Sequence, residues 1–212
     1  NGFAPETEFD VKNLVEENGR IRMVLPKTTD YQIHLVLREG DLLSELNHEV
    51  KLGAFDIAII GSPQRKWMTQ KIAQFLDTSI FFVKNFNPNW NYKILLCVDD
   101  SRATKRAVIF STRISKQFSA DITSVTVSKT SFFGKGYRNA HLWAERYLKR
   151  VNITFESKLL IGNPVDIFVE EAGEDHIIIM GKAKGNEILK FVLGSKPIHT
   201  AQRANCPVLL VN

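Results

Sequence analysis

Two short, unbroken apolar runs that stop abruptly at small or acidic residues constrain this chain more than any other feature. Lys93-Ile94-Leu95-Leu96-Cys97-Val98 ends in Asp99-Asp100-Ser101, and His176-Ile177-Ile178-Ile179-Met180 ends at Gly181. A strand with one wet face alternates apolar and polar residues, whereas a continuous run of this length suits a strand covered on both faces of a parallel sheet. Between the two runs the period switches repeatedly. Ala103, Ala107, Phe110, Ile114 and Phe118 recur at helical spacing, Ile122 to Val127 is β-branched, and Asn139 to Arg150 carries a stripe of Leu142, Trp143, Tyr147 and Leu148. Phe155 to Ile161 reads as a strand, Pro164 to Ala172 as a helix, and Pro207-Val208-Leu209-Leu210-Val211 as a closing strand. Five strands alternating with helices predict an α/β fold with a doubly wound, five-stranded parallel sheet of the Rossmann-like kind.

The first half repeats part of this plan. Leu35 to Asp41 followed by Leu42 to Val50 parallels Leu159 to Asn163 followed by Pro164 to Ala172. Phe55 to Gly61 parallels Asp175 to Gly181, and Ile80-Phe81-Phe82-Val83 parallels the closing strand. Gly40 pairs with Gly162 and Gly61 with Gly181, at offsets of 122 and 120 residues. Such self-similarity predicts a tandem repeat with an incomplete first copy, residues 1–90, and a complete second copy, residues 91–212. On that offset a whole first copy would begin about thirty residues before Asn1, and its opening strand, helix and second strand are what the first half lacks. Residues 1 to 30 are open to supplying the counterpart of one helix.

At a strand-to-helix exit in a parallel sheet, backbone N–H groups and the helix dipole favour phosphate, and glycine lets the backbone come close to it. Here Gly181-Lys182-Ala183-Lys184-Gly185 is followed after eight residues by Gly194-Ser195. This spacing resembles that of the universal stress protein family, whose nucleotide-binding members carry Gly, two residues, Gly, nine residues, then Gly and Ser or Thr. Gly181, Gly194 and Ser195 fall at the family positions; Lys184 stands where the family has its second glycine. The closing Asn205 to Val211 and the opening Ile94 to Ser101 are similar to the family's last and first strands. The resemblance covers Tyr92 to Asn212 throughout and Tyr31 to Asn85 more loosely.

The resemblance implies the adenine nucleotide α-hydrolase-like fold and a pocket for ATP or another adenine nucleotide. It implies that Asp99, with Val98 beside it at the end of the first strand, meets the adenosine, and that Val127 lines the adenine or ribose. Met180 and Gly181 would edge the pocket, and Gly194 with Ser195 would donate to phosphate oxygens. Apart from the resemblance, the positions of Lys182 and Lys184 suggest added positive charge near the phosphates. Asp99 and Ser101 suit helix N-capping equally well, and Gly194 suits a plain turn. Lys184 and Lys196-Pro197 depart from the pattern, since a side chain replaces a glycine and a proline removes one backbone donor. Partners implied are a homodimer or an intrachain tandem pairing, either through the last strand. Asp99 and Asp100 could hold magnesium beside a nucleotide.

Other classes are disfavoured. The net charge of +5 is scattered rather than gathered into a run, which argues against a dedicated nucleic-acid surface. No segment approaches the apolar length of a membrane span. Walker, nucleophile-elbow and paired-histidine metal motifs are missing, so any ATP hydrolysis would be slow or incidental. Cys97 and Cys206 sit in apolar runs without a metal-like cluster, as buried thiols of a reducing, cytoplasmic setting do. The expected function is therefore a stress-response or regulatory protein that binds an adenine nucleotide in its C-terminal module. The alternatives are a nucleotide-free scaffold and the soluble regulatory tail of a larger protein such as a transporter.

Overall fold

The computed structural model describes residues 14–17, 20–24, 34–37, 39–53, 55–61, 66–182 and 196–212. The chain divides into two compact units, Asn1–His48 and Glu49–Asn212. In the first, β1 (Leu14–Glu17), β2 (Arg20–Val24) and β3 (His34–Leu37) form a three-stranded antiparallel sheet. The register pairs Leu14 with Met23 and Val24 with His34. This corrects the expectation for the first half: strands stand where a helix counterpart was open, and β3 pairs with β2 rather than joining a parallel sheet. Local alternation of apolar and polar residues in Arg20–Val24 carried that signal. Helix α1 (Leu42–Gly53) follows, its first turn held by Asp41 Oδ2, which accepts the Ser44 N–H at 3.0 Å.

The second unit is a single seven-stranded sheet. Its strands are β4 (Ile57–Gly61), β5 (Ser79–Val83), β6 (Lys93–Val98), β7 (Ile122–Ser128), β8 (Phe155–Ile161), β9 (His176–Gly181) and β10 (Val208–Val211). Their spatial order is β4-β5-β10-β9-β6-β7-β8. The five strands expected in the second half form the parallel block β10-β9-β6-β7-β8. The sheet is larger than that expectation because β5 adds antiparallel to β10, pairing Phe81 with Leu209, and β4 adds parallel to β5. An apolar last strand with an open edge recruits another strand, and β5 supplies it from within the chain.

Among the described residues five helices connect these strands: α2 (Lys66–Phe75), α3 (Arg102–Phe118), α4 (Lys135–Arg150), α5 (Pro164–Ala172) and α6 (Lys196–Arg203). Right-handed crossovers running from β6 to β8 place α3 and α4 on one face; the jump back to β9 and on to β10 places α5 and α6 on the other. The core follows from this. Ile94, Leu96 and Val98 of β6 pack with Ala107 and Val108 of α3, Ala144 and Leu148 of α4, and Ile179 and Leu209 of the neighbouring strands. Each such Ile, Leu or Val side chain contributes on the order of 1.5–3 kcal/mol by leaving water. Helix α4 starts at Lys135, earlier than its apolar stripe suggests, because its first turn is polar and rests on Asp100 rather than on the core.

Both cysteines are free and buried. Burial, reinforced by the Asp99 carboxylate, holds the Cys97 thiol well above its ordinary range, and burial raises Cys206 to about 11. Both thiols therefore stay protonated and poorly nucleophilic at neutral pH.

Gly181 and Gly61, each the last residue of its strand, make a sharp contrast. A Cβ at Gly181 would lie 2.4 Å from the carbonyl carbon and 2.5 Å from the carbonyl oxygen of Ala103, in the backbone of α3. A Cβ at Gly61 would meet nothing within 4 Å. Gly181→Ala should cost about 1–3 kcal/mol, the usual scale of overpacking, while Gly61→Ala stays near neutral. Urea unfolding of both variants checks this; equal midpoints would show that β9 does not press on α3.

Candidate functional site

A parallel sheet opens a crevice where successive crossovers depart in opposite directions, outside the carboxyl ends of the strands. Here that point lies at β6, with β7 on one side and β9 on the other. Asp99 follows β6 immediately, and its geometry is set by a local turn. Asp99 Oδ1 accepts the Ser101 N–H at 3.0 Å and the Thr104 hydroxyl at 2.7 Å, and Thr104 Oγ1 accepts the Asp99 N–H at 3.1 Å. Ser101 occupies the N-cap of α3, but its side chain makes no cap bond; the Asp99 carboxylate braces the turn instead. One carboxylate oxygen is thus committed to structure, and Oδ2 remains turned toward Lys196, whose Nζ lies 3.8 Å away.

Beside this turn is a cavity of about 310 Å³ at the ends of β7 and β8. Val127, Phe132, Tyr137 and Pro164 give it apolar and aromatic walls, and Ser128, Thr130 and Lys196 give it a polar rim. Lys196 Nζ donates to the Tyr137 hydroxyl at 3.3 Å and stands 5.5 Å from the centre of the same ring. The arrangement can take a flat ring against the aromatic walls and hold a polar or anionic group at the rim. A larger cavity, about 630 Å³, lies at the opposite ends of the strands, lined by Phe81, Ile94, Phe110, Ile114, Ile177 and Leu209. Its lining is that of an open apolar sheet face and lacks converging polar groups apart from Arg113 and a few amides.

Of the residues expected at the site, Val127 lines this cavity, and Asp99 is linked to it through Lys196. Val98 is buried in the core cluster, and Met180 is buried at the end of β9. Gly181 is explained by its contact with α3, described above. Lys182 departs from expectation: it is buried, and its Nζ donates to the Leu76 carbonyl and lies 3.5 Å from the Thr78 carbonyl. That ammonium serves the C-terminal end of α2, where carbonyls and the helix dipole stabilise a cation, and does not face the cavity. Lys184, Gly194 and Ser195 lie outside the described residues. Tyr137 and Lys196 were missed as site residues. The Lys196-Pro197 departure was visible in sequence, but its meaning depends on α6 bringing Lys196 to the end of β6.

Asp99 Oδ2 faces an ammonium, and Asp100 packs against Gly136, where an added Cβ would lie 3.0 Å from Asp100 Cβ. Among the described residues no group of three His, Cys, Asp or Glu side chains is placed to hold a metal ion.

Fold and crevice define an α/β protein with a cavity at the carboxyl edge of its sheet. The universal stress protein family model matches residues 91–212, more than half of the chain, and the protein belongs to that family. A universal stress protein from Archaeoglobus fulgidus DSM 4304 is similar with a TM-score of 0.62 and 14% identity, over 82% of this chain and 66% of that one. This chain thus spans just under two thirds of that relative. A functionally unknown protein from Pseudomonas aeruginosa PAO1 is similar with a TM-score of 0.58 and 13% identity, over 82% of this chain and 68% of that one. Another Archaeoglobus fulgidus universal stress protein covers 57% of this chain and 98% of its own length, with a TM-score of 0.50 and 21% identity. At these identities the likeness establishes the fold. The chain has no significant match among curated proteins.

Below the cavity wall, His141 of α4 is buried between β7 and β8. Its Nδ1 lies 3.1 Å from Thr126 Oγ1, and its Nε2 lies 3.4 Å from both Ser157 Oγ and Glu145 Oε1. Burial lowers the imidazole pKa below its ordinary 6.5, against a smaller upward pull from Glu145. The unfolded chain therefore binds a proton at higher pH than the folded one. The stability contributed by neutral His141 is complete above about pH 6.5 and is lost as pH falls toward the depressed folded value. Denaturant midpoints between pH 7.5 and 5 should fall more steeply for the wild type than for His141→Asn. Parallel profiles would show that His141 is no part of the acid sensitivity.

Proposed function

We propose that this protein is a stress-response or regulatory protein that binds an adenine nucleotide in the pocket of its C-terminal module and acts through partner contacts. The observation that carries the reading is the 310 Å³ cavity beside Asp99, at the strand ends where open α/β sheets bind ligands. Its aromatic walls suit a base, and its position next to the Asp99 turn suits a ribose. Family membership supports the same ligand class. The pocket residues supply binding and orientation; no nucleophile–base pair is assembled around the cavity among the described residues.

The first half is read as a second, incomplete copy. Gly40 and Gly162, the repeat-related pair, share φ values of 145° and 148°, and each is followed by a capping Asp or Asn at a helix start. The β4–α2–β5 sequence repeats the parallel β9–α6–β10 arrangement, and β5 lies antiparallel to β10 as two copies related by a twofold would. Asn85 Nδ2 donates to the Asn205 carbonyl at 3.1 Å and reinforces the joint. On this reading the last strand is satisfied within the chain by β5.

One observation favours a nucleotide-free scaffold instead: both Asp99 oxygens have partners within the chain, and Lys182 is buried elsewhere. The two readings separate by mass spectrometry of small molecules released from the purified protein, followed by calorimetric titration with ATP and AMP. Gly134→Trp is the control, because its Cβ would enter open space at the cavity rim and its φ of −58° accepts any side chain. Adenine nucleotide released from the wild type, with binding lost at least tenfold in Gly134→Trp, is expected. A folded protein that releases none and gives no heat of binding would leave the scaffold reading in place.

A further inference from the structure

We infer that Lys196 is the charge-selecting residue of this pocket: its ammonium makes the site prefer a phosphate-bearing adenine nucleotide over the neutral nucleoside. The inference rests on the adenine-nucleotide reading above and names which chemical form of that ligand the site takes.

The Asp99 carboxylate lies beside the cavity and by itself would oppose an anionic ligand. Lys196 lies between that carboxylate and the cavity wall. Its described contacts are long: 3.8 Å to Asp99 Oδ2, beyond hydrogen-bond distance, and 3.3 Å to the Tyr137 hydroxyl. An ammonium carries three donors and bonds best to an anionic oxygen near 2.8 Å, so neither partner saturates it. The side chain is one-third exposed, and its residue lines the cavity, so an entering phosphate can reach it without breaking packed structure. As the phosphate takes the ammonium, the weak pair with Asp99 loosens and leaves Oδ2 to accept from a ribose hydroxyl. The same residue neutralises the carboxylate when the pocket is empty and recognises the anion when it is filled.

The local sequence gives this role a reason. Pro197 follows directly and removes one backbone N–H from the first turn of α6, a turn whose donors would otherwise serve an anion. Lys196 restores positive charge at that place with a side chain. It differs in this from Lys182, which the sequence nominates for phosphate but whose ammonium is spent on the carbonyls after α2.

Calorimetric titration of AMP and adenosine into the full chain tests this, with Lys196→Met, Lys196→Arg and Gly134→Trp as variants and circular dichroism as a folding check. The wild type should bind AMP about tenfold or more tightly than adenosine, the scale of one charge-assisted hydrogen bond. Lys196→Met should reduce that preference to about threefold or less and leave adenosine affinity within about twofold. Lys196→Arg should retain most of the preference, since it keeps the charge. An unchanged AMP-to-adenosine ratio in Lys196→Met overturns the role of Lys196 and leaves nucleotide binding intact. Equal weakening of both ligands assigns Lys196 a structural role and overturns it likewise. If neither ligand binds the folded wild type, the adenine-nucleotide reading falls and this inference falls with it.

Discussion

Strand β6 carries the larger unit. It is paired on both edges, by β7 and β9, and covered on both faces, so its apolar side chains have no alternative environment as favourable as the core. Because β6 is also where the chain changes direction across the sheet, the element that holds the core together is the one whose end opens the crevice. Stability and site are therefore coupled through one short segment. The turn at Asp99 shows the coupling in miniature: the carboxylate oxygen that braces Ser101 and Thr104 fixes the start of α3, and α3 is pressed against the end of β9 at Gly181.

Polar groups at this edge are partly committed to the architecture. Lys182 sits at the root of the glycine-containing segment, yet its backbone N–H donates to the Val211 carbonyl at 2.7 Å and its own carbonyl accepts from Arg106 at 2.9 Å. With its ammonium on the carbonyls after α2, that residue ties β9, β10, α3 and the β5 end of the first half together. A buried ammonium is tolerated because backbone carbonyls surround it; moved to the cavity, it would leave those carbonyls with one donor fewer. Lys196 is different in kind. It is partly exposed and loosely held, which suits a group that exchanges partners.

The second half of the chain was largely legible because each element there declares itself locally. Continuous apolar runs mark β6 and β9, helical periodicity marks α3, and the Asn163-Pro164 pair marks the start of α5, where Asn163 Oδ1 accepts the Val165 N–H at 3.0 Å. The first half was not legible in its assembly. His34–Leu37 resembles its counterpart by residue type and still pairs antiparallel with Arg20–Val24, because strand partners are chosen by neighbours far along the chain rather than by the run itself. The site was half legible. Asp99 and Val127 follow from their places at strand ends, while Tyr137 and Lys196 carry no motif and reach the cavity through the packing of α4 and α6.

Sequence alone determined the α/β class, the parallel block of five strands and the family, because strand burial and helix periodicity are written in consecutive residues. Tertiary structure decided the rest: that β5 closes the edge of β10, that Lys182 points into the α2 end, and that Lys196 stands between Asp99 and Tyr137. These outcomes depend on which groups meet across 59 to 133 positions of chain. No local pattern specifies such meetings. They are fixed by the requirement that an exposed strand edge, a buried ammonium and a carboxylate each find a partner.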